Sequence, residues 1–234
     1  MYKILLAFHI TGGVTALVSA AGALAASKGD RWHVYSGRAF TLGMLLVFLT
    51  ALPMTYVRPN LFLFLIALFS FYFVLTGWLR ARNRSGTPAL ANWIASTVMT
   101  ITAIVMGVRG MTMLRARDSM GIVLLTLGGI GGAFALRDLY LLRSKRYRGA
   151  LRIADHLSRM LGGTIAAVTA FTVVNVRLEP AFVIWLAPTV VLTPVIVYWN
   201  VRVRRLARSG PGPSREATGA SSSATSVDRQ GSGL

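Results

Sequence analysis

Seven blocks of the chain run without a single Asp, Glu, Lys or Arg: residues 4–26, 39–57, 61–79, 90–108, 120–136, 160–176 and 181–201. Each is 17 to 23 residues long, which at about 1.5 Å per residue matches a hydrocarbon core of roughly 30 Å. The blocks are continuously apolar rather than alternating, so helices are expected and not the strands of an outer-membrane barrel. A helix also satisfies its own backbone polar groups, which lipid cannot do. The pattern predicts an all-α integral membrane bundle of seven transmembrane helices over residues 1–206. From Ala207 the chain turns to Gly, Ser, Pro and Thr with little to bury, which predicts a disordered cytoplasmic tail over residues 207–234. The long connection from Leu139 to Arg159 either extends two helices or lies at the membrane interface.

Small residues indicate where the helices approach one another, because lipid tails are as apolar as leucine and association depends on close backbone packing. Gly12, Ala16 and Ala20 follow at i+4 in the first span, Gly128 and Gly132 form a GxxxG in the fifth, and Gly162, Ala166 and Ala170 repeat the spacing in the sixth. These three spans are expected to pack tightly, and the same faces suit a homo-oligomer. The third span, "LFLFLIALFSFYF", is bulky around its whole circumference and is expected to face lipid. Pro53, Pro188 and Pro194 should kink the second and seventh spans, since each removes a donor and frees a carbonyl one turn earlier.

Charge sets the orientation. The chain is 54% hydrophobic and 14% charged, with 25 Lys and Arg against 7 Asp and Glu, where a soluble domain carries about 25% charged residues. Counted over alternate connections, seventeen basic residues fall on one face and six on the other. The richer face holds Lys28 to Arg38, Arg80 to Arg84, Arg137 to Arg159 and Arg202 to Arg208. The positive-inside rule then places the amino terminus outside and the carboxyl terminus in the cytoplasm of a bacterial inner membrane. A signal-peptide cut at "AGALAAS" would reverse that distribution and is not expected. The basic excess lies between apolar blocks, so membrane lipids and not nucleic acid are the expected partners. The sequence contains no cysteine, which excludes disulfides and thiolate metal sites.

The seven blocks hold one histidine and no strong charge. An ion-coupled transporter commonly uses a buried carboxylate, and none falls inside the blocks. A retinal protein needs a lysine in its last helix, whereas the lysines are Lys3, Lys28 and Lys145.

Candidate chemistry therefore gathers at the block ends. His9 shares a helical face with Gly13, Ala16 and Ala20, so it should meet a neighbouring helix, as a neutral hydrogen-bonding group or as a ligand. His33 and His156 precede the second and sixth blocks at matching depth, each followed by an arginine, Arg38 and Arg159. These four with Asp155 form a cytoplasmic-side His/Arg cluster. It suits headgroup anchoring, an anionic ligand, a haem held between two imidazoles, or a divalent metal on His33, His156 and Asp155.

The segments "FHITGGVTALVSAAGAL", "KGDRWHVYSGRAF", "FLFLIALFSFYFVLTGW", "DHLSRMLGGTIAAVTAFTVVN" and "WLAPTVVLTP" together resemble a family of small bacterial multi-pass membrane proteins classed as a domain of unknown function. The resemblance covers residues 4–200 and implies an integral membrane protein without an assigned activity. It directs attention to His9, His33, Gly37, Arg38, His156, Arg159, Thr169 and Asn175. The functional expectation is a non-enzymatic membrane protein binding a small ligand, lipid headgroup or haem at the cluster. The alternatives are a small-solute permease or channel, with the kinked second and seventh spans beside the path, and a haem- or metal-dependent membrane oxidoreductase.

Overall fold

The structure, a computed structural model, describes residues 1–83, 87, 89–144 and 149–208. Among them are seven helices and no strand: α1 (Tyr2–Ala25), α2 (Arg31–Val57), α3 (Leu61–Arg82), α4 (Leu90–Arg115), α5 (Met120–Ser144), α6 (Gly149–Asn175) and α7 (Phe182–Arg208). All seven are long and apolar enough to cross a membrane. Large apolar side chains such as Val18, Leu42, Ile101 and Val190 point outward, an arrangement that suits lipid and not water. The protein is an all-α, multi-pass membrane bundle.

Helices α2, α3, α5, α6 and α7 outrun their uncharged blocks at the basic end, where the α1–α2, α3–α4 and α5–α6 connections lie. A helix stops where its backbone loses a partner, not where charge begins. So α2 starts at Arg31 and takes His33 and Arg38 into the helix, with the Asp30 side chain accepting from the Arg31 amide. In the same way α5 runs on through Arg137 and Asp138, and α6 begins ahead of Asp155. The connection from Leu139 to Arg159 is thus largely the extension of two helices. Of the expected tail, residues 207 and 208 continue α7, and residues 209–234 lie outside the described residues.

Close approach at glycine organises the packing. A Cβ on Gly43 would sit 2.8 Å from the Gly12 carbonyl oxygen, so α1 and α2 touch backbone to backbone. Gly110 and Gly121 do the same for α4 and α5, while Gly128 and Gly132 face Met106 and Ala103 of α4. On α6 the row predicted through Gly162, Ala166 and Ala170 is followed only at its start, where Gly162 meets Phe73. Gly163, Ala167 and Thr169 are buried, whereas Ala170 is exposed.

The third span is not a lipid-facing helix. It is the centre of the bundle, packed against α2, α4, α5 and α6. Leu65, Phe69, Tyr72, Phe73 and Val74 are all buried. Bulk on α3 is matched by absence on its neighbours: Phe69 lies against Gly131, Phe73 against Gly162, and Val74 against Gly163. A helix with few small residues can still occupy the core when its partners supply the notches. Helix α7 packs on α6, touches α5 and leaves most of its apolar surface outward. Both α2 and α7 continue as helices through their prolines.

Candidate functional site

Four ionisable side chains meet inside the basic end of the bundle. Arg80 comes from the last turn of α3, Asp138 from α5, and Asp155 and Arg159 from α6 at i and i+4. Arg159 reaches Asp138 through Nη2 at 2.6 Å and Asp155 through Nε at 3.0 Å. Arg80 spans the same two carboxylates, at 3.4 Å to Asp138 and 3.2 Å to Asp155. Each arginine therefore bridges both aspartates, closing a ring of charge that ties α3, α5 and α6 together. Side-chain exposure is 2% or less for all four. An isolated buried charge would be expelled, whereas a paired and hydrogen-bonded one is retained.

Neutral groups complete the ring. The Tyr72 hydroxyl donates to Asp138 Oδ2 at 2.7 Å, and Ser96 donates to the same oxygen at 3.4 Å. Thr76 donates to the Tyr72 carbonyl and accepts from Arg159 Nη1 at 2.8 Å. The Arg159 guanidinium also lies 5.3 Å from the Phe134 ring centre and 5.5 Å from that of Tyr72, within cation–π range. At the end of α3, Arg152 donates to the carbonyls of Arg80 and Ala81. A cation there complements the negative end of the helix.

The ring opens on one side. Arg137 on α5 donates to Asp155 Oδ1 at 2.6 Å, yet its side chain is 40% exposed. Beyond this pair lies a crevice of about 390 Å³ between α5, α6 and α7. Its walls are Phe134, Ala154, Val197 and Val201, and its polar end is Arg137, Asp155, Ser158 and Asn200. Asn200 donates through Nδ2 to Ser158 at 2.7 Å and to the Ile196 carbonyl at 3.0 Å. The carbonyl can only accept, which fixes the amide orientation. It leaves Asn200 Oδ1 buried without a partner among the described residues. Asp155 faces three guanidinium groups, those of Arg80, Arg137 and Arg159, and the exposed member is Arg137.

The chain matches no known family model, curated protein or solved structure. The site must be interpreted from its own geometry.

The sequence-predicted residues divide. Asp155 and Arg159 belong to the ring. His156 neighbours it but turns Nδ1 to the Gly77 carbonyl at 2.9 Å, and His33 turns Nδ1 to the Ala23 carbonyl at 2.9 Å. The two imidazoles lie within electrostatic range of each other, while each binds a different helix. Arg38 is exposed. His9 lies apart from these, bonded through Nδ1 to Thr50 Oγ1 of α2 at 3.0 Å. The expected grouping of His33, His156 and Asp155 as metal ligands does not form. Both Asp155 oxygens go to guanidinium groups, and among the described residues no three His, Asp or Glu side chains come together as a metal centre.

Four participants escaped the sequence pattern. Arg80 and Arg137 are there only loop charges, and Tyr72 and Asp138 draw no notice. Blocks defined by the absence of charge end just before Arg80 and Arg137, so the rule that finds the spans also discards their buried ends. The available signal is the i+4 row Tyr72, Thr76, Arg80 on α3 beside the i+4 pair Asp155 and Arg159 on α6. Two buried carboxylates, Asp138 and Asp155, lie just outside the uncharged blocks, on helices that run past the block ends.

Proposed function

We propose that this protein is a membrane-embedded binding protein that takes a small amphiphilic anion into the crevice between α5, α6 and α7, with the basic end of the bundle in the cytoplasm. The observation that carries this reading is the half-open position of Arg137. One of its N–H groups serves Asp155, the side chain is 40% exposed, and its remaining donors adjoin an apolar-walled crevice. That combination, a largely apolar wall with a few convergent polar groups, is the general form of a small-ligand site, and about 390 Å³ is at the lower end of its usual size. Binding suits the site better than catalysis, since both carboxylates are held by arginines, including Asp138, the acceptor for the Tyr72 and Ser96 hydroxyls.

Because the sequence contains no cysteine, one introduced thiol reports on the site alone. In Ala133→Cys, purified in a neutral maltoside detergent, oleate or dodecyl phosphate should slow maleimide labelling in a saturable way. Adding Arg137→Gln should abolish that protection. Labelling that ignores both amphiphiles would remove the proposal.

A further inference from the structure

We infer that the occupant of the crevice is an anionic phospholipid of the surrounding leaflet, its phosphodiester against Arg137 and its acyl chain along the apolar wall. The inference rests on the binding reading above and names the ligand class. Depth is the first argument. Counted from Met120 at about 1.5 Å per residue, a hydrocarbon core of roughly 30 Å ends near Tyr140. Arg137 therefore lies within a turn of the level where lipid phosphates begin. One wall of the crevice is α7, most of whose apolar surface is unburied, so an acyl chain beside that helix meets apolar surface continuous with the wall.

Charge is the second argument. Asp155 already faces Arg80 and Arg159, so Arg137 shares its carboxylate with two other guanidinium groups and is only partly compensated by it. The two arginines within the ring are sealed, so a compensating anion can reach only Arg137. A phosphodiester supplies a single negative charge and oxygens that suit a guanidinium. Hydrogen bonding is the third argument. Asn200 lines the crevice, and its Oδ1, closed to solvent, has no partner among the described residues; a small turn of the side chain would open it to a headgroup hydroxyl, which supplies the missing donor. Phosphoglycerol has both features, while phosphocholine has no donor and a compensating cation of its own. Ser158 is unsuited to that role because its hydroxyl already donates to the Ala154 carbonyl.

The test uses the full chain in nanodiscs made from equal amounts of phosphatidylglycerol and phosphatidylcholine, with retained lipid identified by native mass spectrometry after release. Phosphatidylglycerol should be enriched about tenfold, the contribution of one charge-assisted hydrogen bond. Arg137→Gln should lose most of that enrichment, and Asn200→Leu part of it. Should Arg137→Gln fail to fold, Arg137→Lys provides the second variant, since it keeps the charge but not the planar fork and should bind with reduced preference. Equal retention of the two lipids would overturn the headgroup assignment while leaving the binding reading intact, provided oleate still protects Ala133→Cys. Displacement of phosphatidylglycerol by millimolar inorganic phosphate would also overturn it, by making free phosphate the ligand. If neither lipid is retained and no amphiphile protects the thiol, both the assignment and the binding reading fall.

Discussion

Arg159 and Asp138 meet at 2.6 Å with both side chains wholly buried, the tightest link in a ring that fastens α6 to α5 across the end of α3. Such a pair gives less net stability than its Coulomb energy suggests, because both ions leave water to form it. Removing one partner is a different matter, since the other is then buried with its charge unbalanced. Arg159→Met should lower stability by about 3–5 kcal/mol. The double variant Arg159→Met, Asp138→Leu should recover much of that loss, because Arg80 and Asp155 remain as a balanced pair. Thermal unfolding in detergent, followed by the loss of the monodisperse peak, measures both. A double variant no better than the single one would show that the ring is not the source of the cost.

The seven-helix plan is legible from residue pattern alone, because the uncharged blocks reflect one constraint, the thickness of hydrocarbon. The interior arrangement is not, and α3 shows why. Its sequence is bulky on every side, and bulk alone does not distinguish a lipid face from a core face when both are apolar. Its place is set by other helices, through Gly131, Gly162 and Gly163, which no pattern within α3 itself can reveal. The site was half legible. Asp155 and Arg159 announce themselves by i+4 spacing, but Asp138 and Arg80 come from distant helices and pair across 58 positions of chain.

Gly43 faces backbone, which makes it the most sensitive of the small residues between α1 and α2. A Cβ there would meet the Gly12 carbonyl oxygen at 2.8 Å and the Ala16 amide nitrogen at 2.9 Å. Neither atom can rotate away, so the two helices must separate. Gly43→Ala should cost about 1–3 kcal/mol. Gly13 is the control, since nothing lies within 4 Å of a Cβ added to it. Gly13→Ala should be neutral or slightly stabilising through helix propensity. The two melting temperatures, compared side by side, test whether contact rather than glycine content sets the result.

His9 is predicted to act as a helix-to-helix hydrogen-bond donor. Thr50 gives its proton to a carbonyl of its own helix, at 2.7 Å to Leu46. Its oxygen must then accept from His9, which places the imidazole proton on Nδ1. His9→Ala should lose about 0.6–1.7 kcal/mol, the range for such bonds in membrane proteins. His9→Asn presents an amide N–H close to the position of Nδ1 and should retain most of the stability, whereas His9→Gln should not. Equal melting of the Asn and Gln variants would contradict the assignment.

Arg137 and Arg80 both contact Asp155, but their burial differs enough to separate their effects. The Arg137 side chain is 40% exposed, that of Arg80 only 2%. Without Arg137, Asp155 keeps Arg80 and Arg159, and the loss should be no more than about 1 kcal/mol. Arg80→Met leaves a buried carboxylate pair sharing one internal arginine and should cost about 3 kcal/mol or more. Parallel melts of Arg137→Gln and Arg80→Met check this, and the same Arg137→Gln protein then enters the lipid test as a folded variant.

The ring should face the cytoplasm. Connections at the ring's end of the bundle carry most of the Lys and Arg residues, including Arg143 and Arg152 around the α5–α6 connection. Translocating such segments is disfavoured, so they should stay in the cytoplasm and place the crevice mouth in the inner leaflet. A green fluorescent protein fused after Leu234 should fluoresce, and alkaline phosphatase fused at the same point should be inactive. Active phosphatase would put the ring on the far side of the membrane. The binding site would then draw on the outer leaflet, and its ligand would have to be sought there.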